Sequence, residues 1–118
     1  MTVITEESPV TFRDELPTHT DVIIVGGGIA GVMTAWFLQK AGKQVLICDK
    51  GRIAGEQSCR NWGFVRQAGR DIAELPIMMD CMETWQELQD EIGDDIGFRR
   101  PGSVFTSKFD DELAMYEA

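Results

Sequence analysis

Three glycines at close spacing lie between an apolar run and a segment with helical periodicity: Gly26, Gly28 and Gly31. In such a place the first glycine permits a tight turn, the second lets the backbone approach a phosphate, and the third lets the helix pack closely on the strand. Unpaired N–H groups and the helix dipole favour an anion at the helix N-terminus. The spacing therefore predicts a site for the pyrophosphate of a dinucleotide.

An acidic residue follows the second apolar run, where such a site needs one. Asp49 lies about 20 positions beyond the glycines, and its carboxylate is placed to accept hydrogen bonds from ribose hydroxyls. The same charge repels a 2′-phosphate, which makes NADP the least favoured ligand. A glycine-rich turn beside an ordinary surface aspartate is the alternative, and this pattern alone does not separate NAD from FAD.

Two apolar runs and the segment between them have the pattern of a βαβ unit. Residues 21–25 and 44–48 are short and almost continuously apolar, which is typical of parallel strands buried on both faces. Between them, apolar residues recur every three or four positions over residues 29–41, and Gly42 is placed to end the helix. The face predicted to pack comprises Ile29, Val32, Met33, Trp36, Phe37 and Lys40.

The rest of the chain is predicted to hold a long loop, two helices and a hairpin. Residues 50–70 form a polar connection that turns helical after Ser58, and its length indicates function. A helix over 71–92 and a second one starting at residue 110 follow from their apolar and acidic patterns. Between them, the turn dipeptide Pro101-Gly102 predicts a short β-hairpin over 98–106. The stripe of the first helix is Leu75, Met78, Met79, Met82, Trp85, Leu88 and Ile92.

The composition disfavours nucleic acid, membranes and metals as partners. A net charge of -9 over 118 residues supplies no cationic surface for a phosphate backbone, and no apolar run approaches the roughly 20 residues that span a bilayer. Three cysteines without a paired spacing, and His19 as the only histidine, argue against a disulfide framework and a metal site alike. We expect a soluble, cytoplasmic protein, and its oligomeric state stays open.

Residues 21–31, 48–50 and 58–63 together resemble the FAD-dependent amine and amino-acid oxidoreductases of the D-amino-acid oxidase superfamily. The likeness continues through residues 66–71 and 97–105, and it is greatest to the bacterial branch of D-amino-acid dehydrogenases and gamma-glutamylputrescine oxidases. The resemblance implies FAD as the cofactor. It assigns Gly26, Gly28, Ile29, Ala30 and Gly31 to the pyrophosphate, Asp49 and Lys50 to the adenosine ribose, and Ser58, Arg60 and Asn61 to the pyrophosphate and flavin ring. A helix cap or surface turn is the alternative for Ser58 and Asn61.

The resemblance also implies an α/β fold: a Rossmann-like FAD-binding βαβ unit, then helices and a short hairpin, incomplete relative to the family. The expected domains are an extended segment over 1–20, an FAD-binding portion over 21–95 and the start of a substrate domain over 96–118. The implied function is the FAD-binding part of an oxidoreductase that oxidises a small amine or amino acid at its C–N bond. Its catalytic residues are expected outside these residues, with little activity from the chain alone. A stand-alone nucleotide-binding or regulatory module and an NAD-dependent dehydrogenase are the alternatives.

Overall fold

Two strands and three α-helices, divided between two compact units, make up the described fold. The structure is a computed structural model that describes residues 4, 8–104 and 106–108. The two units are Met1–Phe64 and Val65–Ala118, and the domain boundary expected after residue 95 stays a prediction. The first unit holds β1 (Val22–Val25), α1 (Ile29–Lys40), β2 (Val45–Cys48) and α2 (Gln57–Arg60), and the second holds a 3₁₀ turn (Ile72–Glu74) and α3 (Leu75–Ile92).

The two strands pair in parallel over their full lengths. At one end the Asp21 N–H donates to the Gln44 carbonyl oxygen at 3.0 Å, and the Gln44 N–H donates to the Asp21 carboxylate at 2.8 Å. At the other end the Gly26 N–H donates to the Cys48 carbonyl oxygen at 2.8 Å. With α1 connecting the strands, the predicted βαβ unit is confirmed.

The end of α1 follows from one glycine. Gly42 adopts a φ of +78°, a conformation that glycine reaches without a steric penalty and that commonly ends helices. Its N–H donates to the Gln39 carbonyl oxygen at 2.9 Å, and the Lys43 N–H donates to the Leu38 carbonyl oxygen at 3.0 Å. These bonds satisfy the last carbonyl groups of α1, so the predicted stop at Gly42 is confirmed.

The strands are less buried than the sequence predicts. Ile23 and Val25 are 61% and 88% exposed, and no hydrophobic side chain among the described residues is fully buried. Ile24, between them, lies against the start of α1. Side chains alternate between the two faces of a strand, and α1 covers one face of this sheet. The prediction that both faces are buried is therefore wrong for this structure.

α1 also lacks the single packed face that its periodicity predicts. Val32 and Trp36 are half-buried against β2 and line a groove of about 560 Å³, whereas Ile29 and Phe37 are 50% and 52% exposed. Apolar side chains thus lie on several sides of the helix. Such a distribution is typical of helices that are covered on more than one side.

The second unit is built on one long helix. Asp71 caps the 3₁₀ turn because its carboxylate accepts the Ala73 N–H at 2.8 Å, and Gly93, with a φ of +68°, ends α3. The helix predicted over 71–92 is confirmed, although its first turn is 3₁₀ and two stripe residues, Met79 and Ile92, are exposed. No helix in the described ranges has both the length and the apolar character needed to cross a membrane.

The predicted hairpin is not formed in the described residues. Residues 93–104 and 106–108 contain no strand, and the helix expected from residue 110 lies outside the described part of the chain. Instead, the Phe98 ring stacks on Trp85 of α3 with centroids 5.9 Å apart. A two-stranded hairpin is only marginally stable by itself, and this segment instead combines an irregular backbone with the aromatic contact to α3.

An ion pair in this segment leads to a pH prediction. The Arg99 guanidinium donates to both Asp95 carboxylate oxygens at 2.9 and 2.7 Å. This contact, with the Gly97 N–H, lowers the pKa of Asp95 from 3.8 to about 2. Because the folded pKa lies below the unfolded one, the stabilisation is complete above pH 3.8 and is lost as the pH falls towards 2. NMR titration of the Asp95 carboxyl carbon should show the low midpoint.

The variant Arg99→Gln should move that midpoint back towards 3.8, because it removes the largest cause of the lowered pKa. Arg100→Gln removes a neighbouring cation and serves as the matched control. An Asp95 midpoint that is the same in the Arg99→Gln protein and in the wild type would contradict the assignment.

Candidate nucleotide-binding site

The glycine turn joins β1 to α1, and it leaves open space at its first glycine but almost none at its last. Gly26 adopts a φ of +110°, and a Cβ at this position would meet no atom within 4 Å. A Cβ on Gly31 would lie 2.0 Å from the Gly26 carbonyl oxygen and 3.2 Å from Cγ2 of Ile24. The third glycine of the pattern therefore lets α1 start directly against the strand, while the first leaves open space beside the turn.

The N-terminus of α1 presents backbone donors immediately after the glycine turn. The Ile29 N–H donates to the Ser58 hydroxyl oxygen at 2.8 Å. The following amides, of Ala30 and Gly31, donate to no acceptor among the described residues, and the first turn of α1 carries no acidic residue. Free amides and an uncompensated helix dipole attract an anion.

Asp49 lies at the end of β2 and holds the glycine turn. Its carboxylate accepts the Gly27 N–H at 2.7 Å and the Gly51 N–H at 2.8 Å. These two bonds, Gly27 first, lower the pKa of Asp49 below 3.8. The carboxylate is thus charged at neutral pH, and each oxygen keeps acceptor capacity for a ribose hydroxyl.

The loop after β2 forms a small polar cleft beside Asp49. The cleft has a volume of about 100 Å³, and Arg60 and Glu56 contribute to its walls. Lys50 pairs with Glu56 at 3.2 Å, and its side chain is 81% exposed. An ion pair this exposed contributes little stability, so Lys50 remains available to a ligand at small cost.

Two predicted cofactor residues act as helix caps in this structure. Ser58 accepts from the first amide of α1, across 29 positions in sequence. Asn61 caps the end of α2, since its amide nitrogen donates to the Ser58 carbonyl oxygen at 2.5 Å and its oxygen accepts the Gly63 N–H at 2.6 Å. Capping satisfies backbone groups that a helix end leaves unpaired. It accounts for both side chains without a ligand, and their roles towards a cofactor stay predictions.

The structure brings most of the predicted residues to one turn. Around it lie the three fingerprint glycines, Ile29, Ala30, Asp49 and Ser58, whereas Lys50 and Arg60 line or flank the cleft. Sequence analysis missed Gly27, whose N–H donates to the Asp49 carboxylate. A signal was present in the sequence. The fingerprint requires glycine at positions 26 and 28, and this chain has glycine at position 27 as well.

These features suit the ADP part of a dinucleotide. An anion needs donors and space: the amides of Ala30 and Gly31 supply donors without an acceptor among the described residues, and the side of Gly26 that a Cβ would occupy is open. A ribose needs an acceptor, which Asp49 supplies. The donor set and the space agree with a diphosphate bound at a helix N-terminus.

A comparison with protein families gives one match, to "FAD dependent oxidoreductase", over residues 21–118. The chain belongs to this family. The family decides between the two dinucleotides that the fingerprint left open, because its members depend on FAD. It also confirms the resemblance drawn from the sequence and the α/β class of the fold.

Two curated relatives of the chain are oxidoreductases named for nitrogen-containing compounds. Mitochondrial dimethylglycine dehydrogenase of Homo sapiens is 28% identical over 100 residues, which are 84% of this chain and 12% of that protein. Gamma-glutamylputrescine oxidoreductase of Escherichia coli K12 is 34% identical over 110 residues, which are 82% of this chain and 26% of that protein. The chain thus spans between about an eighth and a quarter of these two relatives.

A solved structure is similar to this chain in both fold and sequence. L-amino acid deaminase from Proteus vulgaris matches with a TM-score of 0.84 and 32% identity, over 90% of this chain and 25% of that one. Membership of the FAD dependent oxidoreductase family therefore has support from sequence and from three-dimensional structure.

Proposed function

We propose that this chain binds the ADP half of FAD within an oxidoreductase that oxidises amines or amino acids at the C–N bond. The observation that carries the proposal is the junction of β1, the glycine turn and α1. There, the amides of Ala30 and Gly31 have no acceptor among the described residues, Gly26 leaves open space beside the turn, and the carboxylate of Asp49 lies at the end of the adjacent strand.

Each group at the junction has a task in binding. The amides of Ala30 and Gly31 donate to the diphosphate, helped by the dipole of α1. Asp49, anchored by two backbone bonds, accepts from the adenosine ribose. Ser58 holds the first turn of α1 in place through Ile29. Arg60, in the wall of the cleft beside Asp49, is the residue we propose to donate towards the flavin. The flavin would supply the hydride acceptor. The chain would orient the cofactor and provide hydrogen-bond donors for its diphosphate and an acceptor for its ribose.

The substrate class comes from the relatives. Three of the matched proteins name dimethylglycine, gamma-glutamylputrescine and L-amino acids. Each of these compounds has a nitrogen bonded to a carbon that also bears hydrogen. We infer the same class for this protein. With FAD bound, oxidation at such a carbon would transfer a hydride to the flavin and leave an iminium ion, which water would hydrolyse to a carbonyl compound and an amine.

Ligand titration of the chain tests the cofactor proposal. Calorimetry with FAD, ADP, FMN and NAD should show binding of FAD and ADP but none of FMN, because the predicted site recognises the ADP half and FMN lacks it. Binding of FAD should also perturb the visible flavin spectrum. Each ligand differs from FAD in one part, so the series is its own control.

The pattern of binding separates the alternatives. If the chain bound ADP and FAD with equal affinity, and the flavin spectrum did not change, a nucleotide-binding or regulatory module would be favoured. Preference for NAD over FAD, or binding of FMN as tightly as FAD, would overturn the proposed cofactor.

The substrate proposal is tested on the native gene product. An antibody to residues 8–20 captures it from its own cells, and dye reduction is then measured with a panel of amines, L-amino acids and D-amino acids, with 2-hydroxy acids as the comparison class. Reduction that depends on one of these compounds supports the proposal. Reduction with 2-hydroxy acids instead would contradict it.

The cellular setting is proposed from the cysteines and the charge. Cys48, Cys59 and Cys81 are free thiols, which fits a reducing, cytoplasmic compartment. The net charge of -9 agrees with a small-molecule substrate rather than nucleic acid as the partner. Fractionation of the source cells, followed by detection with the same antibody, tests the compartment.

A further inference from the structure

Gly27, the middle residue of the three consecutive glycines, has an environment unlike that of its neighbours. It is the only buried residue in the described part of the chain. Its backbone does not adopt the positive φ that requires glycine, so conformation alone would permit any side chain. What surrounds Gly27 therefore determines which residue the position accepts.

Ile53 closes the space above Gly27. A Cβ at Gly27 would lie 2.3 Å from Cδ1 of Ile53, whereas the next nearest atoms, an Asp49 carboxylate oxygen and the Ile53 Cα, lie at 3.4 Å. The first distance is a severe overlap and the others are ordinary contacts. The Cδ1 methyl group, at the movable end of the Ile53 side chain, is thus what a side chain at Gly27 would have to displace.

The residue after Ile53 bonds to the same glycine. The Ala54 N–H donates to the Gly27 carbonyl oxygen at 2.8 Å, while Asp49 accepts the Gly27 N–H at 2.7 Å. Ala54 has a φ of +59°, and it is the one residue other than glycine with a positive φ among those described. A strained backbone of this kind persists only where its surroundings hold it, and it is common at ligand clamps.

We propose that Ile53 and Ala54 are positioning residues for the nucleotide, which hold the glycine turn in its binding conformation by clamping Gly27 from the loop after β2. The inference rests on the proposed function. The turn is held on both sides of Gly27, at its N–H by Asp49 and at its carbonyl by Ala54, with Ile53 packed between these bonds.

The clamp links two parts of the nucleotide site. Gly28 and α1 follow Gly27 directly, so a shift at Gly27 moves the amides that face the diphosphate. Asp49 lies at the start of the clamping loop and faces the ribose. Closing the loop on Gly27 therefore aligns the diphosphate donors with the ribose acceptor before the ligand arrives, and prior alignment of this kind raises affinity.

A paired substitution tests the clamp. Gly27→Ala should weaken binding of FAD and ADP about tenfold, because the new Cβ displaces Ile53, and adding Ile53→Val should restore affinity to within about threefold of the Ile53→Val single variant. Valine lacks the Cδ1 atom that overlaps and keeps the rest of the side chain. Calorimetric titration with ADP and FAD gives the four affinities, and circular dichroism checks the fold of each variant.

The matched control pairs Gly27→Ala with Ile72→Val, which shortens an isoleucine in the other compact unit that is 83% exposed. Rescue by Ile53→Val and not by Ile72→Val supports the clamp. Equal rescue by both, absence of rescue, or wild-type affinity in Gly27→Ala would overturn it. If Gly27→Ala does not fold, recovery of the folded circular dichroism spectrum in the double variants becomes the readout: recovery with Ile53→Val and not with Ile72→Val supports the clamp, and recovery with both or with neither overturns it. Lack of ADP and FAD binding by the wild type would instead overturn the proposed function.

Discussion

Replacing Gly31 with alanine is expected to lower the free energy of unfolding by about 3 kcal/mol, at the upper end for overpacked sites, and to reduce FAD binding below detection. The added Cβ would lie 2.0 Å from the Gly26 carbonyl oxygen, and this obstacle is backbone rather than a movable side chain. Alanine gains roughly 1 kcal/mol of helix propensity over glycine, which is too little to offset the overlap. α1 must therefore move away from β1, taking its diphosphate donors with it.

Urea unfolding followed by circular dichroism measures the stability, and calorimetry measures FAD binding. Gly51→Ala is the matched control, since a Cβ there would meet its nearest atom at 3.9 Å. That variant should stay within about 0.5 kcal/mol of the wild type. If both alanine variants changed stability equally, the close packing of α1 on the glycine turn would not be the cause.

The variant Asp49→Asn is expected to weaken ADP and FAD binding by about tenfold or more, the effect of losing a charge-assisted hydrogen bond. The carboxylate accepts two backbone N–H groups. Asparagine offers one acceptor oxygen and turns its NH₂ group towards one of these donors, so one of the two bonds is lost in either orientation. The variant also removes the charge that faces the ribose.

That charge should set the preference between nucleotides. The wild type is expected to bind ADP more tightly than ADP carrying a 2′-phosphate, and Asp49→Asn should narrow the difference because the like-charge repulsion is gone. Asp21→Asn is the matched control at the other end of the sheet, where Asp21 accepts the Gln44 N–H at 2.8 Å. It should leave the ratio of the two affinities unchanged. An unchanged ratio in Asp49→Asn would show that Asp49 does not face the ribose.

The same carboxylate gives the stability a pH dependence. The bonds from Gly27 and Gly51 lower the pKa of Asp49 below 3.8. Its contribution is therefore complete above pH 3.8 and declines as the pH falls through the lowered folded pKa. Asp49→Asn should lack this part of the acid dependence in urea unfolding measured between neutral and acidic pH.

The loop after β2 shows where prediction from sequence reached its limit. Ser58 was predicted to lie beside the pyrophosphate, with a helix cap as the alternative, and the structure places its hydroxyl on the Ile29 N–H at 2.8 Å. Asn61 caps the end of α2 through hydrogen bonds to Ser58 and Gly63. Both partners are within three residues, so the sequence alone could suggest this cap. Ile53 and Ala54 carried no recognisable signal, because nothing in their neighbours identifies the glycine they contact.

The sequence by itself determined the βαβ unit, the ends of α1 and α3, and the acidic residue after β2. Periodicity and the conformational freedom of glycine act over a few residues. The turns at Gly26, Gly42 and Gly93 can therefore be predicted without knowledge of the tertiary contacts. Tertiary structure alone decided the burial of Gly27, the exposed outer face of β1 and the irregular segment after α3. These depend on contacts such as the bond between Gly27 and Asp49, 22 positions apart, and on which surfaces find a neighbour to cover them.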